Sequence, residues 1–391
     1  MELYVPQEER LLVGAKKQSM GFGVPKESIW NENRIPLTPE GVDMLVSRGH
    51  RVVVQAGAGE AARYSDTAYS EAGAHIVPSA SEAFASEFIV KVQPPTLEEL
   101  SWMRPGATLF SALQPHAIPK EYLPALLLKN CTALSYEELR DEHGQTPYVR
   151  SMGEIAGSTA IVLAADYLST TMNGRGFVMG GVTGVPPTEV VILGAGIVGT
   201  VAARVARGMG AHVKVFDSSL TRLQRLQNQL GQGVFTVAMQ PRVLQGALEK
   251  CDVVIGALRS VNGRTPCVVS SAMVARMKPG SIIVDVSIDQ GGCFETSEIT
   301  TWQSPVFERF GVLHIGIPNM AARTARTASF ALNTITAPLL DFVAVAGGVE
   351  EAAKNNPGIR AGIYSLNGTL THKSLGDRFD LPYTDTDLLL S

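Results

Sequence analysis

Cysteine is scarce in this chain. Four of them, Cys131, Cys251, Cys267 and Cys293, are spread over 391 residues, and none stands in a C-x-x-C pair. That excludes a disulfide scaffold and a zinc ribbon and leaves buried, reduced thiols as the expectation. Charge is low as well. Asp, Glu, Lys and Arg make up 18% of the residues, against about 25% in an ordinary soluble domain. The balance of 33 basic against 37 acidic residues gives a net charge of −4, so a nucleic-acid binder driven by phosphate neutralisation is excluded. No uncharged stretch reaches the 18 or so apolar residues of a membrane span. The best candidate, from Ala328, is interrupted by Asn333 and stopped by Asp341. The first ten residues, Met-Glu-Leu-Tyr-Val-Pro-Gln-Glu-Glu-Arg, lack the apolar core of a secretory signal. Repeats at solenoid spacing, low-complexity tracts and H-E-x-x-H or Cys/His clusters are all missing, so no metal is expected. The expectation is a soluble, cytoplasmic protein without a membrane or nucleic-acid partner.

What is present is core-forming. Hydrophobic residues are 45% of the chain, and 38 glycines point to tight turns and close backbone approaches. At about 150 residues per domain the length suggests two or three domains. After a polar N-terminal extension over residues 1–21, short apolar strands alternate with helical patterns: Phe22–Val24, Arg51–Gln55, Phe88–Val92, Thr108–Ser111 and Thr132–Ser135. Thr38-Pro39-Glu40 reads as a helix start, with Val42, Leu45 and Val46 at helical spacing. An apolar helix follows over Ser151–Thr170, then a Gly-rich segment, then a second series of strands: Glu189–Leu193, His212–Phe216, Asp252–Gly256, Ser281–Val286 and Val312–Ile315. Such alternation predicts two doubly wound, parallel-sheet α/β domains. The expected boundaries are a discontinuous domain over 22–147 plus 327–391 and an inserted domain over 148–326. A small separate C-terminal domain is the alternative.

The inserted domain opens on a nucleotide signature. Glu189-Val-Val-Ile-Leu-Gly194-Ala-Gly196-Ile197-Val198-Gly199 is a buried strand followed by G-x-G-x-x-G opening a helix. The first glycine allows the tight turn, the second lets backbone approach a pyrophosphate, and the third permits close helix–strand packing. The next strand ends at Asp217, eighteen residues beyond Gly199. A carboxylate there accepts hydrogen bonds from ribose hydroxyls and repels a 2′-phosphate, which favours NAD over NADP.

Further motifs carry a resemblance. Gly23-Val-Pro-Lys-Glu27, Asn31-Glu-Asn-Arg34-Ile-Pro-Leu-Thr-Pro39, Ala56-Gly-Ala-Gly59, Gly180-Gly-Val-Thr-Gly-Val-Pro-Pro187, Met277-Lys-Pro-Gly280 and Val284-Asp-Val-Ser-Ile-Asp-Gln-Gly-Gly292 resemble the alanine dehydrogenase family. Its pattern is shared with the NAD-binding subunit of proton-translocating transhydrogenase, and the match covers roughly residues 22–345. The resemblance implies a two-domain α/β subunit with an interdomain cleft, NAD as cofactor, and oxidation of L-alanine to pyruvate and ammonium, usually by a homohexamer. It makes Arg34 and Lys91 the seat of the substrate carboxylate. A lysine in the apolar run Phe-Ile-Val-Lys-Val is costly unless it is paired or faces a cleft at the strand end. Asp289, at the C-terminal end of a strand, becomes the catalytic carboxylate, while Asp285 within that strand reads as structural. Asn319 and Met320 match a pair that contacts nicotinamide and substrate.

The chain departs from the family pattern at one catalytic position. The family histidine follows Phe-Thr-x-Leu, but residues 110–116 here read Phe-Ser-Ala-Leu-Gln-Pro-His. Gln114 holds the aligned place and His116 lies two residues on. Either His116 is redirected to do acid–base work, or Gln114 occupies the site and Asp289 handles the protons. Gly153 also replaces a family serine that contacts the cofactor. A transhydrogenase-like NAD(H)-binding subunit and an NAD-sensing protein without turnover are the rival functions. Retention of Arg34, Lys91 and Asp289 favours the enzyme, since NAD binding alone needs none of them.

Overall fold

The computed structural model describes residues 19–390 except Trp30, Gln232 and residues 260–263. The N-terminal extension expected over residues 1–21 lies outside the described residues as far as residue 18. Among the described residues, fifteen strands follow one another: β1 (Gly21–Val24), β2 (Arg51–Gln55), β3 (His75–Val77), β4 (Phe88–Val90), β5 (Thr108–Ser111), β6 (Thr132–Ser135), β7 (Glu189–Leu193), β8 (His212–Asp217), β9 (Val234–Ala238), β10 (Val253–Gly256), β11 (Ile282–Asp285), β12 (Phe307–Arg309), β13 (Val312–Ile315), β14 (Ile363–Leu366) and β15 (Thr369–Leu370). They sort into two compact units. Of the described residues, the first holds 19–29, Arg34–Pro147 and 329–390, and the second holds 31–33 and those of Tyr148–Ala328.

The first unit is built on an eight-stranded sheet in the order β15-β14-β6-β5-β4-β1-β2-β3. β1 to β6 are parallel. Contrary to a purely parallel reading, β14 runs antiparallel to β6, and β15 antiparallel to β14. The tail after residue 362 therefore completes this sheet. β1, β2 and β3 extend to one side and β4 begins the other, so the strand order reverses between β1 and β4. Open α/β sheets place ligands beyond the carboxyl ends of the strands at such a point. Helix Pro39–Ser47 starts where Thr38-Pro39 indicated, although the Thr38 side chain makes no cap bond. Its backbone N–H instead donates to Asn333 Oδ1 at 3.0 Å. The stretch Met320–Ala346, which contains the apolar helix Ala325–Ala346, is long and apolar enough to cross a membrane, yet more than half of its most apolar window is buried. Ser329 accepts from the Ile35 N–H, and Asp341 pairs with Arg48. It packs as a core helix of this unit.

The second unit carries a seven-stranded sheet in the order β12-β13-β11-β10-β7-β8-β9. All pairs are parallel except β12 with β13, an antiparallel edge hairpin. Here the order reverses between β7 and β10. Val190, Ile192, Val213, Val215, Val253, Ile255, Ile282 and Val284 form one buried layer, and Val191, Leu193, Val254 and Ile283 face a second cluster on the other side. Strands apolar on both faces are what a helix-covered parallel sheet requires. One cysteine corrects the expectation of buried thiols. Cys131, Cys251 and Cys293 are buried and free, but Cys267 is exposed. Burial pushes the Cys251 thiol up to about 12 and raises those of Cys131 and Cys293, so the buried three are inert as nucleophiles.

Candidate active site

In the second unit the glycine loop sits at the reversal of the sheet. Gly194 follows β7 with φ +110, and a Cβ on it would lie 2.4 Å from the Ala257 carbonyl oxygen beyond β10. A Cβ on Gly199 would lie 1.8 Å from the Gly194 oxygen, so helix Ile197–Gly208 packs this closely only with glycine there. A Cβ on Gly196 would meet nothing within 4 Å. The second glycine thus borders open space at a helix N-terminus, which is the cradle a pyrophosphate needs. Gly153 faces the same helix start. A Cβ there would come within 3.2 Å of Ile197, so the serine of the family pattern would press on the loop from behind.

Asp217 ends β8 and is 1% exposed. Its Oδ2 accepts the Ala195 N–H at 2.8 Å and its Oδ1 the Ser219 N–H at 2.7 Å, while Arg222 Nη1 approaches Oδ2 at 3.4 Å. The carboxylate ties the glycine loop to the start of the next helix. Oδ2 thus faces two donors, while Oδ1, with one, retains a lone-pair direction for a hydroxyl. An acceptor carboxylate at this place fits a ribose hydroxyl.

Asp289 lies in a single turn over Val286–Gln290, beyond β11. It is exposed, and its Oδ1 accepts the Asn319 N–H at 3.0 Å. Asn319 itself has φ +53, and its amide donates to Glu32 Oε2 at 2.8 Å. Asp289, Asn319 and Glu32 thus form one polar chain, with Met320 buried beside it. Asp285 is buried and staples the two ends of the Asp289 loop. It accepts from the Ser287 and Cys293 N–H groups and from Ser297 Oγ at 2.6 Å. Burial raises its carboxyl above the usual range, against the pull of these bonds.

In the first unit the expected strand Phe88–Val92 stops at Val90, because β4 ends there. Lys91 therefore stands just past the strand end, beside the reversal between β1 and β4, and is 0% exposed. Its Nζ lies 3.2 Å from Glu99 Oε1 and 3.4 Å from Glu27 Oε2. Glu27 also accepts the Val92 and Gln93 N–H groups, and Glu99 closes a capping box with Thr96. Neither carboxylate was identified from sequence. Glu27 belongs to the Gly-Val-Pro-Lys-Glu run, but Glu99 looks like an ordinary helix-start acid. Arg34, 7% exposed, lies in the polar loop between β1 and helix Pro39–Ser47.

The loop after β5 separates the two candidates at the departure point. Gln114 has φ +47, and its N–H donates to Glu137 Oε1 at 3.0 Å. His116 is exposed, and its Nδ1 accepts from Arg378 Nη1 at 2.9 Å. An arginine can only donate, so that ring nitrogen is occupied as an acceptor.

Comparison with known proteins agrees with this layout. The family models for the alanine dehydrogenase/PNT N-terminal and C-terminal domains match residues 23–156 and 160–373. An alanine dehydrogenase of Methanococcus maripaludis is 40% identical over 375 residues, covering 95% of this chain and 100% of that protein. One of Bacillus subtilis is 38% identical, covering 95% and 98%. Among solved structures, an L-alanine dehydrogenase matches with a TM-score of 0.87 at 36% identity over 95% of this chain and all of that one. A transhydrogenase from Sinorhizobium meliloti matches with a TM-score of 0.78 at 28% identity over 90% and 99%. With both domain models matched in order and relatives similar across nearly their whole length, the chain belongs to the alanine dehydrogenase/PNT family.

Proposed function

We propose that this chain is an NAD-dependent alanine dehydrogenase that oxidises L-alanine to pyruvate and ammonium. The observation that carries this reading is a fully buried cation, Lys91, at the ligand-binding point of a sheet that holds no nucleotide fingerprint. A protein that only binds NAD has no use for it, and the similar proteins at 38–40% identity are alanine dehydrogenases throughout.

Residues 194–199 hold the pyrophosphate of NAD, and Asp217 the adenosine ribose, with NADP excluded by the charge of Asp217. The bound cofactor supplies the hydride acceptor. Arg34 and Lys91 hold the substrate carboxylate, Arg34 as a planar fork and Lys91 as a point charge. Asn319 and Met320 orient the nicotinamide and the substrate. Asp289 acts as a general base that takes a proton from the substrate amine, passes it to solvent, and later takes one from the attacking water. Gln114 occupies the position of the family histidine and orients water or carbonyl by hydrogen bonding, without exchanging a proton. The alternative role for His116 as acid–base is disfavoured by its bond to Arg378. A homo-oligomer, a hexamer or a dimer, working in amino-acid catabolism in the cytoplasm completes the reading. The exposed apolar side chains Phe330, Phe342 and Val345 on the long helix support a further copy covering them.

The test is NADH formation with each of the twenty amino acids, and NADH consumption with ammonium plus 2-oxo acids. L-alanine and pyruvate are expected to give the highest kcat/KM. Turnover with neither, alongside intact NADH binding, refutes the assignment.

A further inference from the structure

We propose that Glu137 is a positioning residue that sets Gln114 for the reaction, an inference that rests on Gln114 contacting the substrate as above. Strands β5 and β6 end side by side, with Ser111 paired to Ser135. The chain leaving β6 brings Glu137 beneath the chain leaving β5. The Glu137 carboxylate accepts the Leu113 N–H at 3.0 and 3.1 Å and the Gln114 N–H at 3.0 Å. Ser135 Oγ donates to Oε2 at 2.5 Å and accepts the Glu137 N–H at 3.2 Å, which fixes the carboxylate in turn. Two successive backbone N–H groups converging on one anion form a nest, and here the anion is built into the chain. Beyond the nest, the Gln114 carbonyl accepts from Ala117 and Ile118 at 2.8 and 3.3 Å.

Gln114 is held at φ +47, in the left-handed region that glycine occupies freely and a residue with a side chain occupies only at a cost. A turn needed for its shape alone is served better by glycine. Retaining a long polar side chain in a strained conformation, with a carboxylate dedicated to holding that conformation, marks the side chain itself as the purpose. Glu137 touches no reacting atom in this scheme. It acts through the backbone of Leu113 and Gln114. Glutamine at position 137 keeps the volume and one acceptor oxygen for the two N–H groups, but it removes the charge that strengthens these bonds and turns the oxygen held by Ser135 into an N–H group, so the clamp is loosened with little loss of packing.

The experiment is a double-mutant cycle in the full-length protein, read as kcat/KM for L-alanine, NADH affinity and melting temperature. The four proteins are the wild type, Glu137→Gln, Gln114→Ala and the double variant. Glu137→Gln is expected to cost about 10²-fold in kcat/KM, the scale of a misplaced catalytic contact. In the Gln114→Ala background the same change should cost no more than about twofold, the limit of independent behaviour, with NADH affinity unchanged throughout. Gln114→Gly should lose as much activity as Gln114→Ala while melting at the same or a higher temperature, since glycine relieves the strain. If Glu137→Gln folds poorly, Glu137→Asp, which is too short to reach both N–H groups, runs through the same cycle with the same expectation. Equal losses in both backgrounds make Glu137 a stability residue and overturn the inference. Full activity in Glu137→Gln also overturns it. Full activity in Gln114→Ala refutes the reading of Gln114 itself, a separate outcome.

Discussion

At the scale of single residues, Asp217 carries two tasks on one carboxylate. It anchors the Ala195 and Ser219 N–H groups, and in the proposed reading it also receives the ribose hydroxyls. Asp217→Ala should therefore weaken NADH binding by about 10- to 100-fold, the cost of orphaned donors plus a lost acceptor at about 1–3 kcal/mol. NADPH, already repelled, should lose less, so the gap between the two narrows. Fluorescence titration of both cofactors reads this directly, and equal affinity in the wild type contradicts it. Arg34 and Lys91 differ in how cleanly they can be tested. Removing Lys91 leaves Glu27 and Glu99 buried without their cation, which costs about 3–5 kcal/mol, so Lys91→Ala should lower the melting temperature together with turnover. Arg34→Lys keeps the charge and removes the bidentate fork. It should raise the KM for L-alanine while NADH affinity stays, and an unchanged KM returns Arg34 to a structural role. The places of the glycine loop after β7 and of Asp217 at the end of β8 were legible in the sequence because the strand–turn–helix pattern is local. Glu99, Glu137 and Glu32 were not. Glu137 meets Leu113 and Glu32 meets Asn319 only through the fold, and nothing in the local sequence separates them from solvated acids.

Elements show the same division. Strands built from unbroken Val, Ile and Leu, such as Glu189–Leu193 and Arg51–Gln55, were legible to the residue. The short β3 and the edge strand β9, with its exposed Phe235, lack that composition and were missed. The antiparallel strands β12 and β14 were missed because pairing direction is a property of the sheet. β13 carries a prediction of its own. His314 is buried, its Nδ1–H donates to the Val312 carbonyl, and its Nε2 accepts from Thr296. Burial holds its pKa below the ordinary value, against the Val312 carbonyl. The unfolded chain, at about 6.5, then takes up a proton first. The stability contributed by the neutral ring is full above that pH and is lost as pH falls through the folded value. Melting temperature recorded downward from pH 7.5 should fall more steeply for the wild type than for His314→Gln, and parallel curves contradict this. The packing of helix Ile197–Gly208 is tested by Gly199→Val. With 1.8 Å between a Cβ and the Gly194 oxygen, NADH binding should disappear, and retained affinity means the helix start is not the phosphate site.

At the scale of the whole molecule, the chain gives the nucleotide fingerprint to the inserted unit and the buried cation to the discontinuous one. The last sixty residues are too few for a core of their own, and β14 pairs with β6 in the sheet of the first unit. The chemistry proposed is ordinary for the family, but in the proposed reading Gln114 takes the place of the acid–base histidine of the family pattern. The decisive measurement is therefore the rate of NADH formation from L-alanine across pH for the wild type and His116→Ala side by side. Turnover by both, at rates within about twofold and with no histidine limb in either profile, is the predicted result. A loss of about 10²- to 10⁴-fold in His116→Ala, the usual share of a general acid–base, or no L-alanine oxidation by the wild type at all, contradicts it.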